Sequence, residues 1–141
     1  MENSVTLQRA IELACHSPFK RRTEKVPLSD AAGRVLAKTL TSNVDDPRFD
    51  NSAMDGWAVR ATDCEIQETT LSISGTSKAG GETPPAVAQG EACRIMTGAP
   101  VPEGADAIVV VEDSEEVGNT VRIFGPARTG YIRKRAENLQ V

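Results

Sequence analysis

The spacing of hydrophobic residues predicts one amphipathic helix at the start of the chain. In the stretch 4–17 the apolar side chains recur every three or four positions, which places them on one helical face: Leu7, Ala10, Ile11, Ala14 and Cys15. Ser4 is a suitable N-cap, because its hydroxyl can accept a hydrogen bond from the first helical turn. Pro18 cannot continue the helix, and we therefore expect the helix to end before it.

Three shorter elements are predicted between this helix and the turn-rich stretch that follows. The residues 26–28 favour a short strand, and Ser29 or Asp30 can cap a helix of about two turns that ends near Gly33. The stretch 35–41 is rich in β-branched side chains and predicts another strand. This mixture of helix and strand is typical of an α/β segment.

From Trp57 onward the pattern changes to short apolar runs that are separated by Gly and Pro. Runs of strand length between breaks of turn composition predict six strands, at 57–60, 70–74, 92–96, 107–112, 120–124 and 131–135. Gly118 and Asn119 predict the tight turn of a β-hairpin. Several short strands at this spacing predict a small barrel or sandwich. The expected fold class is therefore α+β, with an α/β segment followed by an all-β unit.

Composition and charge exclude several classes of protein. The net charge is −4, so the chain lacks the basic excess of a general nucleic-acid binder. The N-terminus lacks the basic and apolar regions of a signal peptide, and no apolar run approaches the ~20 residues that span a membrane. The three cysteines are far apart, which is typical of reduced, partly buried thiols. We expect a cytoplasmic protein that binds neither nucleic acid nor membrane.

A turn-rich loop carries the first candidate chemistry. It holds four carboxylates within a short stretch: Asp45, Asp46, Asp50 and Asp55. Clustered carboxylates can hold Mg²⁺ or Ca²⁺, although no glutamate stands where the loop of an EF-hand needs its bidentate ligand. Aspartate is also a common turn former, and the spacing alone favours that interpretation.

Two further stretches offer groups that can bind an anion. The segment 94–104 runs from a strand into a turn at Thr97 and Gly98, and backbone N–H groups in a tight turn can hold an anion. A rigid connection without a ligand is the alternative that these residues favour. On a strand, Arg133 and Arg135 share one face; they can meet a phosphate together, or they can simply protect a solvated edge.

Two long motifs resemble the signatures of one family. They are F-D-N-S-A-M-D-G-W-A-V-R, over Phe49–Arg60, and R-I-M-T-G-A-P-V-P-E-G-A-D-A-I-V, over Arg94–Val109. Both are similar to signatures of the molybdopterin molybdotransferases, the family of MoeA and the gephyrin E domain. The stretch A-x-G-R-V-L-A at Ala31–Ala37 also agrees, and the resemblance extends over nearly the whole chain.

The resemblance implies a reaction and a set of functional residues. Family members insert molybdenum from molybdate into adenylylated molybdopterin and release AMP, with assistance from Mg²⁺. The functional aspartate of the family falls on Asp55 and its functional threonine on Thr97, so both are expected to be catalytic, with Asp55 also a metal ligand. Substrate-binding positions are expected at Ser52, Met54, Gly98, Arg133 and Arg135.

The resemblance also implies an architecture. Residues 1–44 and 136–141 are expected to form part of a first α/β domain, and residues 45–135 an inserted β-barrel. The later domains of the family are absent, so we expect the N-terminal portion of an enzyme that is inactive in isolation. The full-length protein is expected to be a homodimer, with the molybdopterin adenylyltransferase as a candidate partner.

The run Arg133–Asn138 departs from the pattern R-x-x-G-E-D that many family members carry. Ala136 stands where Gly is expected, and Asn138, after Glu137, stands where the family has a functional Asp. The missing charge argues against a cation-binding role for Asn138. Two other functions stay open: a non-catalytic binding or scaffold module of the same fold, and a small cation-binding β-module.

Overall fold

The computed structural model describes residues 4–16, 22–65 and 68–141 of the chain. The chain divides into two compact units, Met1–Leu40 and Thr41–Val141.

The described residues of the first unit contain one α-helix, α1, over Leu7–Cys15. Thr6, with an extended backbone, is its N-cap, and the Thr6 hydroxyl accepts a hydrogen bond from the Arg9 N–H at 3.3 Å. The predicted helix is confirmed, but Ser4 is wrong as its cap because the first turn begins two residues later. The predicted stop at Pro18 lies outside the described residues. No residue of α1 is buried, and no helix in the described parts of the chain is long and apolar enough to cross a membrane.

The remaining elements predicted for the first unit do not form. Where a strand and a two-turn helix were expected, the described residues contain only one 3₁₀ turn, Leu28–Asp30. The stretch 35–41 contains no strand either. A strand is stable only when a neighbour satisfies its backbone N–H and C=O groups, and the described part of this unit supplies no such neighbour.

The second unit consists of eight described strands. They are β1 (Asn51–Ser52), β2 (Gly56–Val59), β3 (Thr69–Ser77), β4 (Glu91–Ile95), β5 (Ala107–Val110), β6 (Ser114–Val117), β7 (Thr120–Ile123) and β8 (Ile132–Arg133). Each of the six predicted strands overlaps one of them, although β2, β3 and β4 each begin one residue earlier than predicted and β3 extends to Ser77. The hairpin predicted at Gly118 and Asn119 is confirmed as β6–β7. β5 ends earlier than predicted because Val111–Asp113 forms a 3₁₀ turn. The two-residue strand β1 was not predicted, because turn-forming residues surround it.

Six strands form one sheet in the order β5-β2-β4-β3-β7-β6, and β1 pairs with β8 in a second, two-stranded sheet. The pair β3–β4 is parallel and every other pair is antiparallel. β5 and β6 lie at opposite edges, yet only Val111–Asp113 connects them. That connection spans at most about 15 Å, whereas six flat strands are about 24 Å across. The sheet is therefore curled into a half-barrel, which brings its two edges together.

Both sides of the central strands are buried, as the curled sheet requires. Alternate residues of a strand point to opposite sides, so Trp57 faces one side of β2 and Ala58 the other. The side with Trp57 also buries Val59, Leu71, Ala92, Ala107, Val109, Val121 and Ile123; the opposite side buries Val87, Cys93, Ile95, Ala99, Ile108 and Ile132. The Trp57 indole N–H donates to the Ser114 hydroxyl at 2.9 Å, which ties β2 to the far edge strand β6.

The three cysteines are free thiols in different environments. Cys93 is buried, Cys64 is half-buried and Cys15 is exposed, so the expectation of partly buried thiols does not hold for Cys15. Burial raises the pKa of the Cys64 thiol to about 11, which keeps it protonated and unreactive at neutral pH.

Candidate functional site

The two signature motifs meet at one end of the curled sheet. The loop that precedes β2 and the loop that follows β4 lie side by side, because Gly56 of β2 pairs with Ile95 of β4. Three backbone hydrogen bonds connect the two loops, from Ser52 N to Ala99 O at 3.0 Å, from Gly98 N to Ser52 O at 2.8 Å and from Val101 N to Asp50 O at 2.9 Å. Segments more than forty residues apart in sequence thus form one continuous surface.

Asp55 and Thr97 form the polar centre of this surface. The Thr97 backbone N–H donates to Asp55 Oδ1 at 2.6 Å, and the Thr97 hydroxyl donates to the same oxygen at 2.8 Å. The backbone N–H of Thr97, followed by its hydroxyl, holds the pKa of the Asp55 carboxyl below its usual range. Both residues are exposed, so the structure brings the two expected catalytic residues together where a ligand can reach them.

The glycine after Asp55 is required by the close approach of β5. A Cβ atom on Gly56 would lie 1.9 Å from the carbonyl oxygen of Val109. The neighbouring Val111 N–H donates to the Asp55 carbonyl at 3.1 Å and completes the attachment of this loop to β5. The sequence Asp-Gly therefore places the carboxylate at the point where β2 enters the sheet.

The predicted substrate-binding residues Ser52, Met54 and Gly98 form hydrogen bonds within and between the two loops. Ser52 is only 1% exposed, and its hydroxyl donates to the Met54 carbonyl at 2.6 Å and accepts from the Met54 N–H at 3.2 Å. The Gly98 N–H, a candidate anion donor, donates to the Ser52 carbonyl instead. The Met54 side chain remains exposed. A role of these three residues in substrate binding stays a prediction.

Arg94 lies beside this centre and was not among the predicted site residues. It pairs with Trp57 across β4 and β2, and its guanidinium carbon lies 5.2 Å from the centre of the indole ring. Its Nη1 atom is buried and has no hydrogen-bond partner within the described part of the chain. The alternation of β4 could have identified it, because Ala92 and Arg94 share one side of the strand and Ala92 is buried there.

The candidate anion-binding stretch with Arg133 and Arg135 belongs to a charged clasp, which we define as residues 45–50 together with residues 133–141. The Arg135 side chain donates to Asp45 at 2.6 Å, and the Lys134 side chain donates to Asp50 at 2.8 Å. The Val141 backbone N–H, followed by the Arg135 side chain, lowers the pKa of Asp45, and Lys134 with the Arg135 backbone N–H lowers that of Asp50. Arg135 is thus held by an internal carboxylate.

Arg133, Glu137 and Asn138 of the clasp are also paired internally. Arg133 donates to the Glu137 carboxylate at 3.3 Å, and the Lys134 backbone N–H donates to the same carboxylate at 2.8 Å. Asn138, the residue that departs from the family's aspartate, donates through its amide to Asp46 at 3.0 Å. An aspartate at position 138 would instead place two negative charges together. Substrate binding by Arg133 and Arg135 stays a prediction.

The described residues do not by themselves fit a Mg²⁺ ion. Mg²⁺ takes six oxygen ligands, and no group of three or more His, Cys, Asp or Glu side chains gathers in the described ranges. Asp45 and Asp50 are paired with basic side chains, so Asp55 can offer a carboxylate ligand only by itself. The same pairing argues against the alternative of a small cation-binding module.

Comparison with known proteins yields one consistent set of relatives. The family profile described as the MoeA N-terminal region (domain I and II) matches residues 5–141. The molybdopterin molybdenumtransferase of Synechococcus elongatus is 42% identical over 124 residues, which cover 83% of this chain and 30% of the relative. That of Haemophilus influenzae is 46% identical over 95 residues, which cover 67% of this chain and 23% of the relative. The chain thus spans less than a third of the length of these relatives.

A solved structure is similar in both sequence and fold. The crystal structure of the molybdopterin biosynthesis moeA protein from Pyrococcus horikoshii OT3 superposes with a TM-score of 0.72 at 34% sequence identity. The superposition covers 83% of this chain and 32% of the crystallised chain. The sheet-dominated fold of this chain is therefore similar to that of a relative of known structure.

Proposed function

This chain belongs to the family of the MoeA N-terminal region, and we propose that it is the N-terminal portion of a molybdopterin molybdenumtransferase. The proposed substrates are molybdate and adenylylated molybdopterin, and the products are molybdenum cofactor and AMP. The observation that carries the proposal is the exposed pair of Asp55 and Thr97, which the two signature motifs build together at the end of the curled sheet.

The geometry of the pair supports a role for Asp55 as a fixed negative charge. Because two Thr97 donors hold one carboxylate oxygen, the carboxylate is kept in place and ionised near neutral pH. We propose that Thr97 acts chiefly by holding Asp55, and that Asp55 contacts the substrate. A held carboxylate can accept a proton or orient a donor next to the oxyanion that reacts.

We propose that Mg²⁺ takes part in the reaction with Asp55 as one ligand, although Asp55 alone does not make a metal site. Remaining ligands would come from substrate phosphates and water, which Mg²⁺ commonly retains. A cytoplasmic homodimer, with the molybdopterin adenylyltransferase as a partner, is likewise proposed from the family resemblance.

The proposed domain organisation is a β-barrel, residues 45–135, inserted into an α/β domain that includes residues 1–44 and 136–141. The pairing of the two chain segments at its ends supports an insertion. Asp46 donates through its N–H to the Leu139 carbonyl at 2.9 Å, and the Leu139 N–H returns a bond to Asp46 O at 3.1 Å. An inserted domain needs its entering and leaving segments to lie side by side in this way.

The direct test is formation of molybdenum cofactor from adenylylated molybdopterin and molybdate. We expect turnover with the purified full-length protein and none with the 141-residue chain, because the chain spans less than a third of its relatives. A full-length protein without turnover would contradict the proposed function and favour the binding or scaffold module. Turnover by the 141-residue chain would contradict the expectation that the missing part supplies necessary contacts.

A further inference from the structure

Arg94 is a charged side chain whose position is not explained by a hydrogen bond or an ion pair within the described residues. Its Nη1 donor is buried without an acceptor in the described part of the chain, and packing on the Trp57 ring holds the guanidinium in place. Buried donors in proteins are nearly always satisfied, so an exception calls for a functional explanation. Trp57 is itself only 1% exposed and anchored to Ser114, which makes it a rigid platform.

The register of β2 and β4 places Trp57 and Arg94 next to the loops that carry Asp55 and Thr97. Trp57 and Arg94 are direct cross-strand partners, and Asp55 lies two residues before Trp57, in the bend that leads into β2. Thr97 lies three residues after Arg94, just beyond the end of β4. The positive charge of Arg94 acts on the Asp55 carboxyl and adds to the effect of Thr97 in lowering its pKa.

We propose that Arg94 is a positioning residue for Asp55: held on the face of Trp57, its guanidinium supplies the fixed positive charge that keeps the carboxylate turned toward Thr97. Asp55 Oδ1 accepts two donors from Thr97, both of which weaken if the carboxylate rotates away. A cation held by packing on the Trp57 ring restrains that rotation. The consequence for turnover rests on the proposed function, whereas the placement of Asp55 does not.

The placement is tested by hydrogen exchange of the Thr97 amide in the 141-residue chain. We expect Arg94→Met to accelerate exchange of the Thr97 amide at least fivefold relative to wild type. The exchange rate in Arg94→Lys should lie between those of wild type and Arg94→Met. Loss of a positive charge by itself slows base-catalysed exchange, so acceleration reports a loosened bond to Asp55. The Gly98 amide, which donates to the Ser52 carbonyl and not to Asp55, serves as the internal reference.

Arg128→Met is the matched control variant. Arg128 also stacks on an aromatic ring, with its guanidinium carbon 5.7 Å from the centre of the Tyr131 ring. Unlike Arg94, it does not contribute to the lowered pKa of Asp55. We expect Thr97 exchange in this variant to stay within about twofold of wild type. If Arg94→Met fails to fold, Arg94→Gln also removes the charge but keeps a polar side chain, and the same exchange measurements are made on it.

In the full-length enzyme we expect Arg94→Met to lower kcat about fivefold while KM stays within twofold, with partial rescue by Arg94→Lys. Unchanged Thr97 exchange in a folded Arg94→Met chain would overturn the proposal. A raised KM at unchanged kcat would also overturn it, because Arg94 would then contact the substrate directly. If the wild-type enzyme shows no turnover, the proposed function fails, and the exchange measurement still decides the role of Arg94.

Discussion

Thr97 directs both its backbone N–H and its hydroxyl at one oxygen of Asp55, at 2.6 and 2.8 Å. Two donors on one oxygen stabilise the ionised carboxylate and restrict its rotation. The threonine of the second signature therefore acts on the aspartate of the first, and the two motifs form one chemical unit.

The charge of Asp55 is the feature that we expect turnover to require. Asp55→Asn keeps the shape and an acceptor oxygen for Thr97 but removes the negative charge. In the full-length enzyme we expect turnover to fall tenfold or more, which corresponds to at least ~1.4 kcal/mol in the barrier. The melting temperature should change little, because Asp55 lies in an exposed loop.

Steady-state kinetics on the purified variant checks this expectation. Glu116→Gln, which removes a carboxylate from the exposed strand β6, is the matched control and should leave turnover unchanged. Wild-type kinetics for Asp55→Asn would mean that Asp55 is only a turn residue.

The contact between Gly56 and β5 predicts a large loss of stability in Gly56→Ala. The new methyl group would lie 1.9 Å from the Val109 carbonyl oxygen, and only a shift of backbone can relieve that overlap. We expect a loss of about 3 kcal/mol in the free energy of unfolding, measured by urea denaturation. Gly130→Ala, where an added Cβ would meet nothing within 4 Å, should change it by less than about 0.5 kcal/mol. Equal stability of the two variants would contradict the close approach of β5 to Gly56.

Ala136 adopts a backbone conformation that favours glycine. Its φ is 63°, in the left-handed region that glycine adopts more readily than alanine. Ala136→Gly relieves the left-handed strain but adds freedom to the unfolded chain, so we expect a net gain of about 0.5–1 kcal/mol. Urea denaturation measures the gain. The control is Ala88→Gly, at an exposed position without a positive φ, which should lower the free energy of unfolding. If Ala136→Gly lowers it as well, the backbone of Ala136 is not strained.

The charged clasp predicts a pH-dependent attachment of the C-terminal segment. The pKa values of Asp45 and Asp50 are lowered in the folded chain, so their stabilising effect is complete above the unfolded value of about 3.9 and is lost as the pH falls through the folded values. Between about pH 6 and pH 2 we expect the amide resonances of Val141 and Arg135 to shift, because these amides donate to the two carboxylates.

Asp45→Asn distinguishes the contribution of Asp45 to this pH dependence from that of Asp50. It should abolish the acid shift of the Val141 amide and leave that of Arg135, which depends on Asp50. Amide resonances that stay constant over the whole range would show that the clasp does not form in solution.

Local sequence predicted most strands of the second unit, but in the first unit it predicted correctly only the helix α1. The six predicted strands of the second unit are short runs with apolar residues between Gly and Pro breaks, and the strand found in each run pairs with a neighbour in one of the two sheets. The stretch 35–41 has a similar composition but no partner strand in the described part of its unit. It therefore forms no strand despite its β-propensity. Ser4 and Thr6 can both cap a helix, and sequence alone does not distinguish them.

The sequence by itself determined the approximate positions of six strands of the second unit and the hairpin turn at Gly118. The resemblance of its two motifs to family signatures indicated Asp55 and Thr97 as candidate catalytic residues. These features follow from periodicity, turn chemistry and two motifs, all of which are read over a few neighbouring residues. Only the tertiary structure decided that Thr97 donates twice to Asp55, that Arg94 rests on Trp57 and that Arg135 is occupied by Asp45. Each of these pairs joins segments that lie some forty to ninety residues apart in sequence, and the register that brings them together depends on how the sheet curls.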